Sequence, residues 1–292
     1  MDENYPVKNE EEDNWDLIVS PKSSLLELNL REVWNYRDLI LLFTKRDIIS
    51  QYKQTILGPL WLIIQPILST VFFTVIFGWF AKFKTGEIPY AIYTLSGLTI
   101  WNFFSTSLSK SSSVFLSNAG IFGKVYFPRL TVPISIVLSN AISFIIQFIV
   151  LLCLLFIYTY FKDFNWQPNI KLFFLLPFIL IIFAFYGMGL GLIASALTTK
   201  YRDLSFLISF MLQFILYFSS VVFPLDGFAG KFQLLFNLNP LTHIVKLFRA
   251  IMISTEMPDP KWIIYSITIG IITLLLGILI FNKIEKSFMD TI

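Results

Sequence analysis

Two residue types that carry much of enzyme chemistry are nearly missing: the 292 residues hold one histidine, His243, and one cysteine, Cys153. A lone cysteine inside an apolar run forms no internal disulfide and says nothing of redox compartment. With so few such residues, no acid, base, nucleophile or metal cluster can be named. Charge is scarce too. Asp, Glu, Lys and Arg make up 14% of the chain, where about 25% is usual in soluble domains, and six long apolar stretches contain neither these residues nor histidine. Proton-driven transporters usually keep ionisable groups within the membrane, so that mechanism lacks its parts. Phosphate loops are missing as well. The nearest approaches, Gly120 to Val125 and Gly227 to Phe232, have the wrong glycine spacing and no Ser or Thr after the lysine. Any work this chain performs must draw energy from a partner, and no motif asks for a cofactor.

What is present is apolar surface: 56% of residues are hydrophobic and 17% aromatic, the composition of an integral membrane protein. The net charge of +3 is small and dispersed, which argues for no nucleic-acid partner. The first 30 residues are acidic and show no positively charged flank before an apolar core, so insertion is expected to use internal spans. An amphipathic helix is expected over 31–57, after this tail. Arg31, Asp38, Lys45, Arg46 and Lys53 fall within one arc of about 100°, and Val33, Tyr36, Leu39, Ile40 and Phe43 fall opposite. Together with Arg37, these cations mark a helix lying in the membrane surface.

The fold class expected is all-α integral membrane, with six spans over 60–81, 91–108, 132–160, 172–197, 204–224 and 262–281. The second is short and carries Thr94, Ser96, Thr99, Asn102 and Ser105, so it should face protein or water. Gly187, Gly191 and Ser195 stand at four-residue spacing, which lets another helix approach closely. With both termini inside, 14 Lys and Arg lie on the cytoplasmic side against 8 outside, which sets the orientation. Between the last two spans, 225–260 carries two short apolar pieces, 232–238 and 241–253, split by Asn239-Pro240. Each is too short to cross, so both read as re-entrant or interfacial helices. In the second, Ile244 and Phe248 lie on the apolar side with His243, Lys246 and Arg249 opposite, expected to face headgroups or water.

On the inner face, Phe122, Gly123, Lys124, Val125, Tyr126, Phe127, Pro128 and Arg129 combine apolar side chains with Gly and Pro in a turn, a docking surface for a partner. This segment, Tyr52 to Trp61 with Gln65-Pro66, Tyr201-Arg202-Asp203 and Asn239-Pro240 closely resemble the permease subunit of ABC exporters for lipid-linked polysaccharides: O-antigen, capsule and teichoic acid. The resemblance runs from about Arg31 to the C-terminus.

The resemblance implies a homodimer in the bacterial cytoplasmic (inner) membrane, each subunit bound to a separate ABC ATPase. Its cargo would be an undecaprenyl-linked polysaccharide crossing between the subunits. By position, 31–53 would be the interface helix, 122–129 the ATPase-coupling segment, and 232–253 the periplasmic gate, closed by Ile244 and Phe248. The domains would be a tail over 1–30, the interface helix over 31–57 and a six-helix unit over 58–292. Aromatic faces stack on sugar rings without demanding one sugar, which nominates Tyr93, Trp101, Phe103 and Phe104 on the second span. A permease for a small lipid or drug, and an embedded lipid- or glycan-modifying enzyme, stand as alternatives.

Overall fold

In hydrocarbon every backbone N–H and C=O must be satisfied within the protein, which long apolar runs achieve as helices. The computed structural model describes residues 30–53, 55–162, 164–168, 170–224 and 236–289. The acidic tail lies outside the described residues, as does 225–235, which includes most of the first expected re-entrant helix. Among the described residues every regular element is helical.

Helix α1 (Leu30–Asn35) and α2 (Arg37–Tyr52) precede a 3₁₀ turn, Gly58–Leu60, that leads into α3 (Trp61–Phe73) and a π-helical continuation, Thr74–Phe80. Then come α4 (Tyr90–Ser112), α5 (Val114–Phe122), α6 (Thr131–Phe161), α7 (Ile170–Phe173), α8 (Leu176–Lys200), α9 (Leu204–Phe218), α10 (Pro240–Ile253) and α11 (Pro260–Met289). Among the described residues four segments are long and apolar enough to cross a membrane: Gly58–Phe80, Thr131–Phe161, Leu176–Lys200 and Pro260–Ile284. The other two expected spans fall short in different ways. Helix α4 has 23 residues but is polar, and α9 is apolar but has 15, about 22 Å at 1.5 Å per residue.

Helix α4 is the axis. All residues from Ile92 to Trp101 are buried, packed by α3, α6, α8 and α10. Its hydroxyls therefore turn onto backbone: Ser96 donates to the Tyr93 carbonyl and Thr99 to that of Leu95. The small residues of α8 do what their spacing predicts. A methyl on Gly187 would sit 2.8 Å from Ser107 Cβ of α4, and one on Gly189 would sit 2.7 Å from the Thr273 carbonyl oxygen of α11. Two seams on opposite faces thus draw α8 between its neighbours.

Three boundaries differ from expectation. The second span continues to Ser112, carrying Lys110 into the helix; Lys110 donates to Gln51 and Asn140, which engages two of its three N–H groups. The fifth helix stops at Phe218, six residues before the expected end. The interface helix breaks at Tyr36 (φ −94°, ψ 23°). Beyond that break Ile40 and Phe43 are buried, and the face bearing them packs on α6 rather than entering lipid. The outward face mixes Trp34, Leu41, Leu42 and Ile49 with the basic residues.

Candidate functional site

Two side-chain assemblies stand at opposite ends of α4. At the α2 end, the turn that follows α5 is pinned by aromatic rings. Phe127 meets Phe43 of α2 edge-on at 5.6 Å and lies 5.8 Å from Phe122. Phe122 meets Phe115 at 6.1 Å, and Phe115 stacks on Phe281 of α11 at 4.6 Å. Arg129, 7% exposed, lies over Phe122 at 5.4 Å, and Arg46 lies over Phe43 at 4.6 Å while pairing with Asp47 at 2.8 Å. Edge-to-face rings and cations on ring faces suit this geometry. The expected coupling segment is therefore split. Phe122, Phe127 and Arg129 turn inward, Pro128 is half-buried, and Gly123, Lys124, Val125 and Tyr126 form an exposed tip. Val125 and Tyr126 are 61% and 60% exposed, and the Tyr126 hydroxyl donates to Glu32 of α1 at 3.3 Å. Of the interface-helix cations, Arg31, Arg37, Lys45 and Lys53 are exposed and Arg46 is half-buried.

At the other end, α10 sits against α4 and the chain that follows α9. Asn239 caps α10, its side-chain oxygen accepting from the Leu241 N–H at 3.1 Å and its amide donating to Ser219 at 2.8 Å. The Asn239-Pro240 break is thus a helix start. Ile244 and Phe248 are fully buried, with Phe248 6.4 Å from both Phe144 and Phe148 of α6. The opposite side of α10 departs from expectation. His243 is 3% exposed, stacked on Trp262 at 4.9 Å, with Nε2 2.8 Å from the Asn237 carbonyl. Arg249 is 2% exposed. Its Nη2 donates to the carbonyls of Tyr93 (3.0 Å) and Val221 (2.6 Å), its Nη1 to that of Ser220, and its Nε to Ser96 Oγ (3.3 Å). The guanidinium also lies 3.6 Å over the Tyr93 ring. His243 and Arg249 face protein, not headgroups, because the carbonyls left beyond the end of α9 need donors and the guanidinium supplies several in one plane. Only Lys246, half-buried, keeps to the rim.

The four nominated aromatics part company. Phe103 and Phe104 are 3% and 0% exposed and fill the core against Phe144 at 5.9 Å and Phe183 at 6.2 Å. Tyr93 lies beneath Arg249. Trp101 lines a groove of about 280 Å³, where Ser105, Thr106 and Ser109 of α4 face Ser209 and Gln213 of α9. Sequence reasoning missed Arg249 as a structural hub, yet a signal was there: a charged residue flanked by Phe248, Ala250, Ile251 and Met252 seldom faces water on all sides.

Relatives are recognisable along most of this architecture. The O-antigen export system permease protein RfbA of Klebsiella pneumoniae is 28% identical over 254 residues, covering 87% of this chain and 94% of its own. The protein of the same name from Myxococcus xanthus is 24% identical, over 90% of this chain and 98% of its own. The polysialic acid transport protein KpsM of Escherichia coli is 22% identical, over 84% and 93%. Residues 38–253, from α2 through the end of α10, match the model of the ABC-2 type transporter, and the chain belongs to that family.

Proposed function

We propose that this chain is the transmembrane subunit of an ATP-driven exporter of undecaprenyl-linked polysaccharide, O-antigen or a similar glycan, in a bacterial inner membrane. The observation that supports it most is the near-full-length similarity to relatives named for O-antigen and polysialic acid export. In this reading α3 with its π-helical continuation, α4, α6, α8, α9 and α11 are the six spans, with both termini cytoplasmic and α10 re-entrant from the outer side. Helix α9 reaches the required depth with help from the chain up to Pro224. Residues 31–57 are the interface helix and 58–292 the transmembrane unit.

Two copies pair, each with one ABC ATPase, and this chain catalyses nothing itself. The ATPase docks on the tip at Lys124, Val125 and Tyr126, which Phe122 and Phe127 brace from behind. At the outer end Ile244 and Phe248 close the path. Trp101, 5% exposed, backs the α4–α9 groove, whose hydroxyls offer the hydrogen-bonding partners that sugars use.

Co-expression with an ABC ATPase from the same gene cluster, in a strain lacking its own O-antigen permease, tests this reading. Surface glycan should return, and should vanish when the ATPase cannot hydrolyse ATP. Copurification with the ATPase but transfer only of small lipids would replace the cargo.

A further inference from the structure

All four connections at the α10 end converge on one cleft of about 1290 Å³. Its walls come from the α3–α4 loop (Lys82, Phe83, Lys84), the α6–α7 loop (Phe164), the chain after α9 (Ser220) and the chain after α10 (Met257). Among the described lining residues the cations outnumber the acids: Lys82, Lys84, Lys246 and Arg249 against Glu87 and Glu256. Lys82 and Lys84 are exposed and Lys246 is half-buried, while Arg249 sits at the floor. A concave site with an excess of one sign and low-dielectric walls concentrates ions of the other.

The depth of the cleft identifies the kind of anion. Trp79 and Phe80 end the first span just before Lys82, and Tyr160 and Phe161 end α6 just before the second loop; these four rings are 72–77% exposed. Exposed aromatics at span ends mark the headgroup level of a bilayer. The cleft thus opens where lipid phosphates lie, and Phe83, Phe164 and Met257 give it apolar walls beside its cations.

We propose that this cleft binds the phosphate of a lipid headgroup at the membrane surface, with Lys82 and Lys84 at the mouth and Lys246 deeper in, above Arg249, whose guanidinium is committed to the carbonyls beneath and adds only its charge. Lysines serve phosphate as point charges, tolerant of varied headgroups. The site needs only that the chain lies in a membrane; it stands or falls independently of the export reading. Both a membrane phospholipid and a polyprenyl phosphate carry this chemistry.

The test is native mass spectrometry of the full chain in neutral detergent, titrated with phosphatidylglycerol, phosphatidylcholine or undecaprenyl monophosphate. Phosphatidylglycerol should bind about tenfold more tightly than phosphatidylcholine at low salt, with the margin shrinking as ionic strength rises. The double variant Lys82→Glu/Lys84→Glu should abolish that margin, since both side chains are exposed and the fold does not depend on them; Lys246→Gln should reduce it. Lys162→Glu and Lys261→Glu, outside the lining, are the controls. Equal binding of the two phospholipids, or an equal loss in the controls, overturns the proposal. If undecaprenyl monophosphate displaces phosphatidylglycerol at lower concentration, the polyprenyl phosphate is the ligand; if it does not, the membrane phospholipid is.

Discussion

The two ends of α4 are closed by opposite means. At the α2 end five phenylalanines, Phe43, Phe115, Phe122, Phe127 and Phe281, hold α2, α5, the turn before α6 and α11 together through ring contacts. At the α10 end Arg249 holds α10, α4 and the chain beyond α9 through hydrogen bonds to backbone carbonyls. Ring packing is non-directional and tolerates sliding by fractions of an ångström, whereas a guanidinium fork fixes three segments at one spacing. In the proposed reading the ring-packed corner would pass a push from the ATPase into the bundle, and the guanidinium clasp would hold one arrangement until that push arrives.

Breaking the clasp should have the largest effect. Arg249→Ala removes hydrogen bonds from a charged group to the carbonyls of Tyr93, Ser220 and Val221 and leaves Val221 without that donor, while Ser96 and the Tyr93 hydroxyl still reach the other two; at about 1.5–3 kcal/mol for each bond to a charged group, a total loss of roughly 5 kcal/mol or more is expected. Thermal unfolding in detergent should show it, with Arg249→Lys recovering only part because an ammonium cannot span the same acceptors. An Arg249→Ala protein that melts like the native one would remove Arg249 from any holding role.

The contrast also separates what the sequence disclosed from what it hid. At the α2 end the turn is legible in its Gly and Pro, but Phe122 and Phe127, read as surface for a partner, turn into the chain's own ring cluster, and Ile40 and Phe43, which the 3.6-residue period sets on one face, meet α6. The seams of α8 were visible as spaced small residues. Arg249 was not placed correctly, because periodicity assigns a residue to a side of its helix and cannot tell which neighbour that side meets. Phe103 and Phe104 were misread for a similar reason: α4 is packed on nearly every side, so a polar sequence did not imply an open face. The extent of α9 was misjudged because the apolar run 219–224 continues past the helix end.

Phe248→Ala comes next. Truncating a fully buried phenylalanine costs about 3–5 kcal/mol, comparable with the few kcal/mol that separate two conformers of such a segment. Reconstituted with its ATPase but without ATP, the Phe248→Ala protein should leak small ions faster than wild type, and Lys246→Ala should not. Equal leak in all three would leave α10 as packing only.

Phe127→Ala tests the inner end in the same currency. With Phe127 5% exposed between Phe43 and Phe122, a loss of about 3 kcal/mol is expected. It should loosen α2 more than α10, read as faster amide hydrogen exchange over 40–46 with 241–251 unchanged. Equal acceleration at both ends would mean that the two assemblies are one cooperative unit.

The smallest effect on stability should accompany the sharpest effect on partnership. Tyr126 is 60% exposed, and its hydrogen bond to Glu32 crosses the surface at 3.3 Å; substitutions at exposed positions of this kind usually change stability by about 0.5 kcal/mol or less. Tyr126→Ala should therefore melt within about 2 °C of wild type. If the tip docks the ATPase, however, a solvent-facing tyrosine on a braced turn is the sort of residue that dominates an interface, worth 2 kcal/mol or more on truncation. That corresponds to a roughly thirtyfold weaker complex, enough to lose the ATPase in pull-down at micromolar concentration. Phe127→Asp would not separate these effects, since it places a carboxylate among buried rings and damages the brace together with the tip. The informative comparison is Tyr126→Ala, stable but uncoupled, beside Phe127→Ala, destabilised at the α2 end; a Tyr126→Ala chain that retains its ATPase and exports normally would move the docking surface elsewhere on the face that bears α2.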